Sequence, residues 1–253
     1  LKNPSYLFGT FHLMCKEDIH FSANLQAAMK AADEVYFEMD LDDPANTLGA
    51  LFLMNMKNGT SLKDLYTEEE FARLNDFFKD SLSMPMLMLQ KMKPLFLEAL
   101  LYPKLMDCKN MSGIEQELLA MAQKDKKELK GFETMAFQAS VFDSIPYKTQ
   151  ASSLLKTIDS LATYKTYFAK MLEVYKTQQI DSIQNLFTES EYGQAENMDI
   201  LLTKRNQNWV EQLQTILKTK SVFIAVGAAH LVGEEGLITL LRKEGYTLKP
   251  LKN

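Results

Sequence analysis

The sequence predicts an α/β fold with a central, mainly parallel sheet that is built from N- and C-terminal segments. Short apolar runs typical of buried strands lie near both ends of the chain and once near residue 130. Segments with helical periodicity fill most of the remaining sequence, so we expect helices to flank the sheet. We therefore expect a single domain over 1–253, with large helical insertions at about 44–112 and 145–218.

The N-terminal segment supplies a strand, a helix and a second strand. A short buried strand over 5–12 runs into a glycine turn, and Ser22 is a suitable N-cap for the helix that follows. Along the second strand, over 34–42, side chains alternate between two faces, which puts Glu38 and Asp40 on the same face. A unit of this size is normally right-handed, with parallel strands.

Helical periodicity dominates the first insertion. It predicts helical segments over 46–56, 67–82 and 86–102, with Pro85, Pro94 and Pro103 as breaks. Thr67 followed by Glu70 forms a capping box at the start of the second helix.

The second half of the chain returns to the sheet twice. The predicted elements, in order, are a helix over 111–127, a strand over 127–133, a helix over 134–145, amphipathic helices over 149–218 broken near 190–197, a strand over 220–230, a helix over 234–245 and a last strand over 246–251. Gly245 is the stop signal of the last helix.

Composition excludes some classes of function. Apolar residues make up 46% of the chain and charged residues 24%, with a net charge of −5 and no concentrated basic patch, so we expect no nucleic-acid partner. No run of about 18 apolar residues is present, so we expect no transmembrane segment in this chain. Because a strand follows so closely after Leu1, we expect that a signal peptide or a lipid-anchored leader was removed. Cys15 and Cys108 form either one disulfide or two free thiols, and the sequence does not indicate an oligomeric state.

One short pattern occurs twice. Gly9 and Gly227 each end an apolar run, and His12 and His230 each follow three residues later. Ligands bind at the carboxyl ends of parallel strands, so both imidazoles would face one crevice if the two strands are neighbours. Glu38 could reach the same edge, and two imidazoles with a carboxylate are the minimum protein ligands of a catalytic divalent metal. The alternative is that each histidine is an ordinary structural residue after a strand.

Other candidates are weaker by themselves. Glu133 directly follows a strand and could extend to the same edge or cap the next helix. Arg205, with Asn206 and Trp209 close by, could hold an anion or stabilise a transition state, although spacing alone favours a surface ion pair. His20 has no comparable motif around it, so we expect a surface residue.

Taken together, these segments resemble the TraB/PrgY/GumN family, which includes the TIKI metalloproteases and belongs to a wider group with ChaN-like and erythromycin-esterase-like proteins. The resemblance runs nearly end to end and depends on the order of its motifs. The matching stretches are "YLFGTFHL", "AADEVYFEMD", "GFETMAFQ", "LLTKRNQNW" and "VFIAVGAAHLVGEEGLITLLRKEGYTLKPL".

The resemblance implies one α/β domain with both Gly-x-x-His elements at one site. For the TIKI branch it implies a metal-dependent peptidase that acts on peptide or protein substrates, with manganese or cobalt favoured and zinc as the alternative. It also implies a location outside the cytoplasm. Carried over by position, the metal ligands would be His12, Glu38 and His230.

The resemblance implies further roles in the same site. Glu133 and Arg205 would complete the catalytic group with Glu38, while Gly9 and Gly227 would shape the backbone around the cofactor. This chain has Glu115 where family members often have the aspartate of Gly-Ile-Asp, which puts the role of that acid in doubt.

Two alternatives stay open beside the metal-dependent hydrolase. One is a non-catalytic module that binds haem, iron or a peptide, as ChaN-like and TraB relatives are associated with doing. The other is a hydrolase without a metal, in which His12 or His230 acts as a general base.

Overall fold

The computed structural model describes residues 3–40, 53–189 and 197–252. The chain divides into two compact units, the first made of Leu1–Asp43, Cys108–Thr134 and Lys170–Asn253, and the second of Pro44–Asp107 and Met135–Ala169. Residues 170–218, predicted as part of the second insertion, belong to the unit that contains the sheet. The single-domain organisation stays a prediction.

The strands of the described residues are β1 (Tyr6–Thr10), β2 (Met14–Cys15), β3 (Glu34–Met39), β4 (Met111–Ser112), β5 (Glu128–Glu133) and β6 (Val222–Gly227). The α-helices are α1 (Ala23–Ala31), α2 (Glu68–Leu82), α3 (Pro94–Ala99), α4 (Ile114–Lys124), α5 (Met135–Asp143), α6 (Tyr147–Asp159), α7 (Leu161–Lys176), α8 (Ile180–Glu189), α9 (Lys204–Ile216) and α10 (Leu237–Lys243). Short 3₁₀ turns lie at Lys16–Asp18, Leu62–Asp64, Met86–Met88, Tyr102–Lys104 and Ala228–Leu231, and a π-helical turn lies at Asp199–Thr203.

The predicted parallel sheet is confirmed. Its order is β1-β6-β3-β5, and every pairing is parallel. Thr10 lies opposite Gly227, so the strands that carry the two Gly-x-x-His patterns are direct neighbours. The carboxyl ends of all four strands therefore meet at one edge, where ligands bind in sheets of this kind.

Helices cover both faces of this sheet, which is why β6 is buried along its whole length. Phe223 and Ala225 of β6 face one apolar cluster, which also contains residues of α1 and α4. Ile224 and Val226 face the other cluster together with Trp209 of α9.

A small antiparallel ribbon lies after β1. Residues 14–15 pair with residues 111–112, and Cys15 and Cys108 form a disulfide with their Cα atoms 5.8 Å apart. The choice between a bridge and two free thiols is therefore resolved in favour of the bridge.

The second unit is helical in its described part. The capping box predicted from Thr67 and Glu70 is confirmed at the start of α2. Of the helical segment predicted over 86–102, only α3 is α-helical, and the break predicted at Pro94 is present. Pro94 is the first residue of α3, and it holds Lys93 in an extended conformation, so no helix can pass through this point.

The second unit contains an ion pair between Lys93 and Asp143. Lys93 is 1% exposed, and its Nζ lies 2.8 Å from Asp143 Oδ1 and donates to the Ala139 carbonyl. Burial alone would raise the pKa of Asp143, but hydrogen bonds from Lys93, Tyr147 and Lys57 outweigh this and lower the pKa. Charge-assisted hydrogen bonding therefore stabilises the pair of Lys93 and Asp143.

Glu98 is the other buried acid of this unit. Its two carboxylate oxygens accept hydrogen bonds from Thr157 and Ser153. Burial nevertheless raises the pKa of Glu98, and these hydrogen bonds only partly oppose that effect.

Some predicted elements differ from the structure or lie outside it. The strand predicted over 246–251 is wrong: this segment pairs with no described strand, although Tyr246 and Leu248 pack against the second apolar cluster. Most of the predicted helix over 46–56, the end of the strand predicted over 34–42 and nearly all of the break predicted near 190–197 lie outside the described residues. None of the described helices has the length and apolar character that crossing a bilayer requires.

Candidate functional site

Gly227 marks the point where the two Gly-x-x-His patterns meet. A β-carbon on Gly227 would lie 3.3 Å from Glu38 Oε1, 3.6 Å from His230 Cδ2 and 3.9 Å from His12 Cε1. Both rings are thus within 4 Å of one point, so these two ring atoms are at most about 8 Å apart. The predicted convergence of two imidazoles and one carboxylate is present in the fold.

His12 is held by a carboxylate that follows the β2–β4 ribbon. Its Nδ1 lies 2.7 Å from Glu115 Oε1, and the Thr10 hydroxyl donates to the same oxygen at 2.6 Å. The hydrogen bond to Glu115 is the main reason that the pKa of His12 is raised to about 9. The imidazole is 71% exposed, so solvent weakens this effect.

Glu115 reaches His12 because it lies in the first turn of α4. Gly113 precedes this helix, and a β-carbon there would lie 2.5 Å from the His12 carbonyl oxygen. The backbone of the two segments is therefore in close contact, and glycine is required at this position. The acid whose role was in doubt is the partner of His12 in the structure.

His230 is buried and fixed as one tautomer. Asn206 donates with its Nδ2 to the carbonyls of His230 and Glu235, so its Oδ1 faces His230 Nδ1 at 2.6 Å and accepts a hydrogen bond from it. The Nε2 atom therefore carries the lone pair. Burial, together with the contact of the ring with Trp209, keeps His230 neutral, and burial is the main cause that lowers its pKa to about 4.

Glu38 is the carboxylate between the two rings. Its Oε1 accepts from the Gly227 backbone N–H at 2.8 Å and lies 3.7 Å from His230 Nε2, while its Oε2 accepts from Arg205 at 2.6 Å. Burial would raise the pKa of Glu38, but its electrostatic interactions with His230, Arg205 and His12 lower it to about 2. Glu38 is therefore ionised at neutral pH.

Arg205 joins the buried part of the cluster. Its Nη2 donates to Glu38 and to Glu133, and its Nη1 lies 3.2 Å from His230 Nε2. The same Nη1 donates to the Leu201 carbonyl in the π-helical turn that precedes α9. The surface ion pair favoured by spacing is wrong, because Arg205 is 8% exposed and contacts two carboxylates.

Glu133 anchors Arg205 from the end of β5. Its carboxylate accepts two parallel hydrogen bonds from the guanidinium, at 2.8 Å each, and a third from Trp209 Nε1 at 2.8 Å. The guanidinium also stacks over the Trp209 ring, 4.9 Å from its centre. Glu133 is 6% exposed, so its carboxylate contacts Arg205 and has little contact with solvent.

The structure brings most of the predicted site residues together. One guanidinium connects Glu38, Glu133 and His230 directly, and His12 approaches the same point from β1. Gly9 is different, since a β-carbon there would meet Leu231 Cδ1 at 2.8 Å and not an imidazole.

Sequence reasoning missed the partners of the two imidazoles. The position of Asn206 beside Arg205 was the available signal for one, and the departure from Gly-Ile-Asp at Glu115 was the signal for the other. His20 is exposed, as expected for a histidine without a motif.

The ligand atoms of His12, Glu38 and His230 are spaced more widely than a bound ion requires. In the described part of the chain, the only group of at least three His, Cys, Asp or Glu residues with ligand atoms all within 4.8 Å is Cys15, Glu17 and Cys108. Those two sulfurs are bonded to each other, so they do not offer thiolate ligands.

Comparison with known proteins gives the family. Metalloprotease TIKI1 of Danio rerio is 23% identical, in an alignment that covers 97% of this chain and 60% of that protein. Metalloprotease TIKI2 of Xenopus tropicalis is 23% identical and covers 97% of this chain and 57% of that protein. The chain thus spans about 60% of the length of the TIKI relatives.

A bacterial relative matches over more of its length. The uncharacterized protein YbaP of Escherichia coli (strain K12) is 24% identical over 250 residues, which cover 94% of this chain and 87% of that protein. No solved structure matches the chain. The sequence model of the TraB/PrgY/gumN family matches residues 2–250, and the chain belongs to this family.

Proposed function

We propose that the chain is a metal-dependent hydrolase that cleaves peptide bonds in peptide or protein substrates. The observation that carries the proposal is the convergence of His12, Glu38 and His230 around Gly227. Distant relatives named metalloproteases support it.

The chemistry of the donors fits a divalent ion. Each imidazole has its Nδ1 engaged by an oxygen, from Glu115 in one case and Asn206 in the other, as is usual for histidines that bind a metal through Nε2. Imidazole with a carboxylate suits manganese, cobalt or zinc. In the metal-free chain Arg205 Nη1 contacts His230 Nε2, so binding requires that this contact is exchanged for the ion.

The residues around the ion would have separate tasks. A bound divalent ion would acidify a water molecule and polarise the carbonyl of the scissile bond. Ionised Glu38 supplies negative charge, and Arg205 can stabilise the negative charge that develops on the substrate. Glu133 holds Arg205 in the orientation that this task needs.

The first experiment measures metal binding without any assumed substrate. The metal-free protein is titrated calorimetrically with manganese, cobalt and zinc, beside His12→Ala, His230→Ala and the control His20→Ala. We expect about one ion per chain in the wild type and in the control. Binding should be lost in the other two variants. The proposal would be contradicted if the wild type binds no metal, or if both histidine variants bind it with wild-type affinity.

A second candidate is a hydrolase that needs no metal. The pKa of His12 is raised to about 9 by its hydrogen bond with Glu115, whereas burial lowers that of His230 to about 4. Two groups whose environments separate their pKa values can serve as acid and base, so His12 would donate a proton and His230 would accept one. Peptide hydrolysis that persists in a chelator and is lost in both histidine variants would favour this candidate.

We place the activity outside the cytoplasm as part of the proposal. The disulfide between Cys15 and Cys108 supports this location, because such bonds persist in oxidising compartments and are rare in the cytosol. Secretion of the tagged chain with an oxidised bridge would agree with it, and a fully reduced cytosolic protein would contradict it.

A further inference from the structure

Thr10, the last residue of β1, places a hydroxyl at a buried position. It is 1% exposed and lies opposite Gly227 in the sheet. Its hydroxyl donates to Glu115 Oε1 at 2.6 Å. A buried hydroxyl without a partner costs free energy, and a valine has nearly the same shape without this cost. The hydroxyl of Thr10 is therefore explained by Glu115 and not by packing.

One carboxylate oxygen joins Thr10 to His12. His12 Nδ1 lies 2.7 Å from the same Glu115 Oε1, so the hydroxyl and the imidazole share one acceptor. Thr10 and His12 are close in sequence, whereas Glu115 is 105 residues away from Thr10. These two hydrogen bonds thus connect the end of β1 with the first turn of α4.

The His12 imidazole depends on this connection for its orientation. Its side chain is 71% exposed, so packing against other side chains fixes the ring only weakly. His230 differs, because its ring is buried and contacts Trp209. An exposed side chain keeps its rotamer freedom unless a specific contact removes it. For His12 the hydrogen bond to Glu115 supplies that contact.

Glu115 in turn needs an anchor on β1. Its own backbone N–H also bonds to its carboxylate, but this bond is internal to Glu115 and does not tie the carboxylate to the strand. Burial, and to a smaller extent the charge of Glu115, raises the pKa of Tyr175, so this phenol lies near the carboxylate. The Tyr175 hydroxyl, however, donates to the Gly9 carbonyl at 2.7 Å. The Thr10 hydroxyl is thus the donor that ties the carboxylate to β1.

The orientation of the His12 ring decides what it can bind. With Nδ1 on Glu115, its Cε1 lies 3.9 Å from the position of a β-carbon on Gly227, and Glu38 Oε1 lies 3.3 Å from the same position. Nε2, the ring nitrogen next to Cε1, is then left for a ligand. Rotation of the ring would move both atoms relative to Glu38, so an imidazole held in one orientation is better prepared to bind.

We propose that Thr10 is a positioning residue of the candidate site: its hydroxyl holds Glu115, and Glu115 holds the His12 ring with Cε1 beside Gly227. The consequence for metal binding rests on the proposed function, whereas the orientation of the ring does not. Loss of an outer hydrogen-bond partner of this kind typically weakens metal binding by about 10- to 100-fold.

Four variants of the full chain test the role of the hydroxyl. Thr10→Val removes it and nearly keeps the shape of the side chain, Thr10→Ala removes it without adding bulk, and Thr10→Ser keeps it. Thr157→Val is the matched control. Thr157 is also 1% exposed and also donates to a buried carboxylate at 2.6 Å, that of Glu98 in the second unit.

The first measurement needs no metal. In the metal-free protein, the nuclear Overhauser effect between the Cε1 proton of His12 and the α-protons of Gly227 reports the orientation of the ring. We expect this effect in the wild type, in Thr10→Ser and in Thr157→Val. We expect its loss in Thr10→Val and in Thr10→Ala, because the carboxylate is no longer tied to β1.

The second measurement is the affinity for manganese, obtained calorimetrically with the same proteins. Thr10→Val and Thr10→Ala should bind manganese at least about tenfold more weakly than the wild type. Thr10→Ser and Thr157→Val should stay within about threefold of the wild type, because both keep the hydrogen bond to Glu115.

An unchanged Overhauser effect in folded Thr10→Val or Thr10→Ala would overturn the proposal. Its loss in Thr10→Ser would do the same, since the hydroxyl is retained there, and so would its loss in Thr157→Val, which would indicate a general effect of destabilisation. Wild-type manganese affinity in Thr10→Val would overturn the role of Thr10 in metal binding. If the Overhauser effects are as expected but the wild type binds no manganese, the proposed function fails and the positioning of His12 by Thr10 stands.

Discussion

Replacing Gly227 by alanine tests the site without removing any of its functional groups. The backbone of Gly227 has φ −50° and ψ 136°, which an alanine adopts without strain. The added methyl would lie 3.3 Å from Glu38 Oε1, and its other two nearest neighbours, ring atoms of His230 and His12, would be at ordinary contact distance. Only the contact with Glu38 requires a shift of a few tenths of an ångström.

The expected change in stability is therefore small. A glycine replaced at a compatible backbone stabilises a protein by about 0.4–1 kcal/mol, and a single tight contact offsets a similar amount. We expect the free energy of unfolding of Gly227→Ala to stay within about 1 kcal/mol of the wild type. Metal affinity should fall by at least about tenfold, or about 1.4 kcal/mol, because the methyl group occupies the space between the three ligands.

The control is the glycine at the same place in the other pattern. In Gly9→Ala the methyl would lie 2.8 Å from Leu231 Cδ1 and 3.1 Å from the Ala228 Cα atom, so the core and not the ligands must move. We expect this variant to lose about 1–3 kcal/mol of stability, as overpacked cores do.

Urea denaturation and calorimetric titration with manganese measure the two quantities on the same samples. Wild-type affinity for manganese in Gly227→Ala would refute the placement of the ion, because the added methyl group would occupy the space between these ligands. A loss of stability as large as that in Gly9→Ala would refute the steric part of it.

Three further substitutions test the electrostatics. Glu115→Gln should bring the pKa of His12 in the metal-free protein down from about 9 toward its ordinary value, since the hydrogen bond to a carboxylate is the main cause of the shift; an NMR titration of the ring that finds no decrease contradicts this. Lys93→Met should lower the free energy of unfolding by about 1–3 kcal/mol, because it removes the buried cation of Asp143 and leaves this carboxylate with Lys57, whose side chain is 63% exposed. Denaturation at neutral pH measures the loss, and a variant as stable as the wild type would count against the buried pair. Burial raises the pKa of Glu98, so its carboxyl ionises at lower pH in the unfolded chain than in the folded one, and the contribution of Glu98 to stability falls as the pH rises above about 4.5. Glu98→Gln should lack this loss, and denaturation of both proteins at about pH 4 and pH 7 would contradict the assignment if their pH dependences are equal.

The sequence allowed a correct prediction of the sheet because its strands are short apolar runs bounded by glycine and charged residues. The repeated Gly-x-x-His pattern also predicted that β1 and β6 are neighbours, since both histidines could serve one site only in that case. The register, with Thr10 opposite Gly227, needed the structure because residue spacing alone does not set the alignment of two distant strands.

Other features depended on tertiary contacts that no local pattern contains. The segment 246–251 alternates like a strand, but its apolar residues pack on a core without a strand partner. Arg205 has the spacing of a surface residue on an amphipathic helix, and only the fold surrounds it with Glu38 and Glu133.

The disulfide has a consequence for His12 that goes beyond stability. Cys15 follows His12 by three residues, and Cys108 precedes Glu115 by seven, so the bond connects the two segments that carry the imidazole and its carboxylate partner. A covalent link of this kind raises the effective concentration of one group near the other. Reduction would lower that concentration, and the two segments would then be held by non-covalent contacts alone, such as the β2–β4 ribbon and the hydrogen bond from Thr10 to Glu115. The orientation of this imidazole is therefore tied to the redox state of the compartment in which the chain folds.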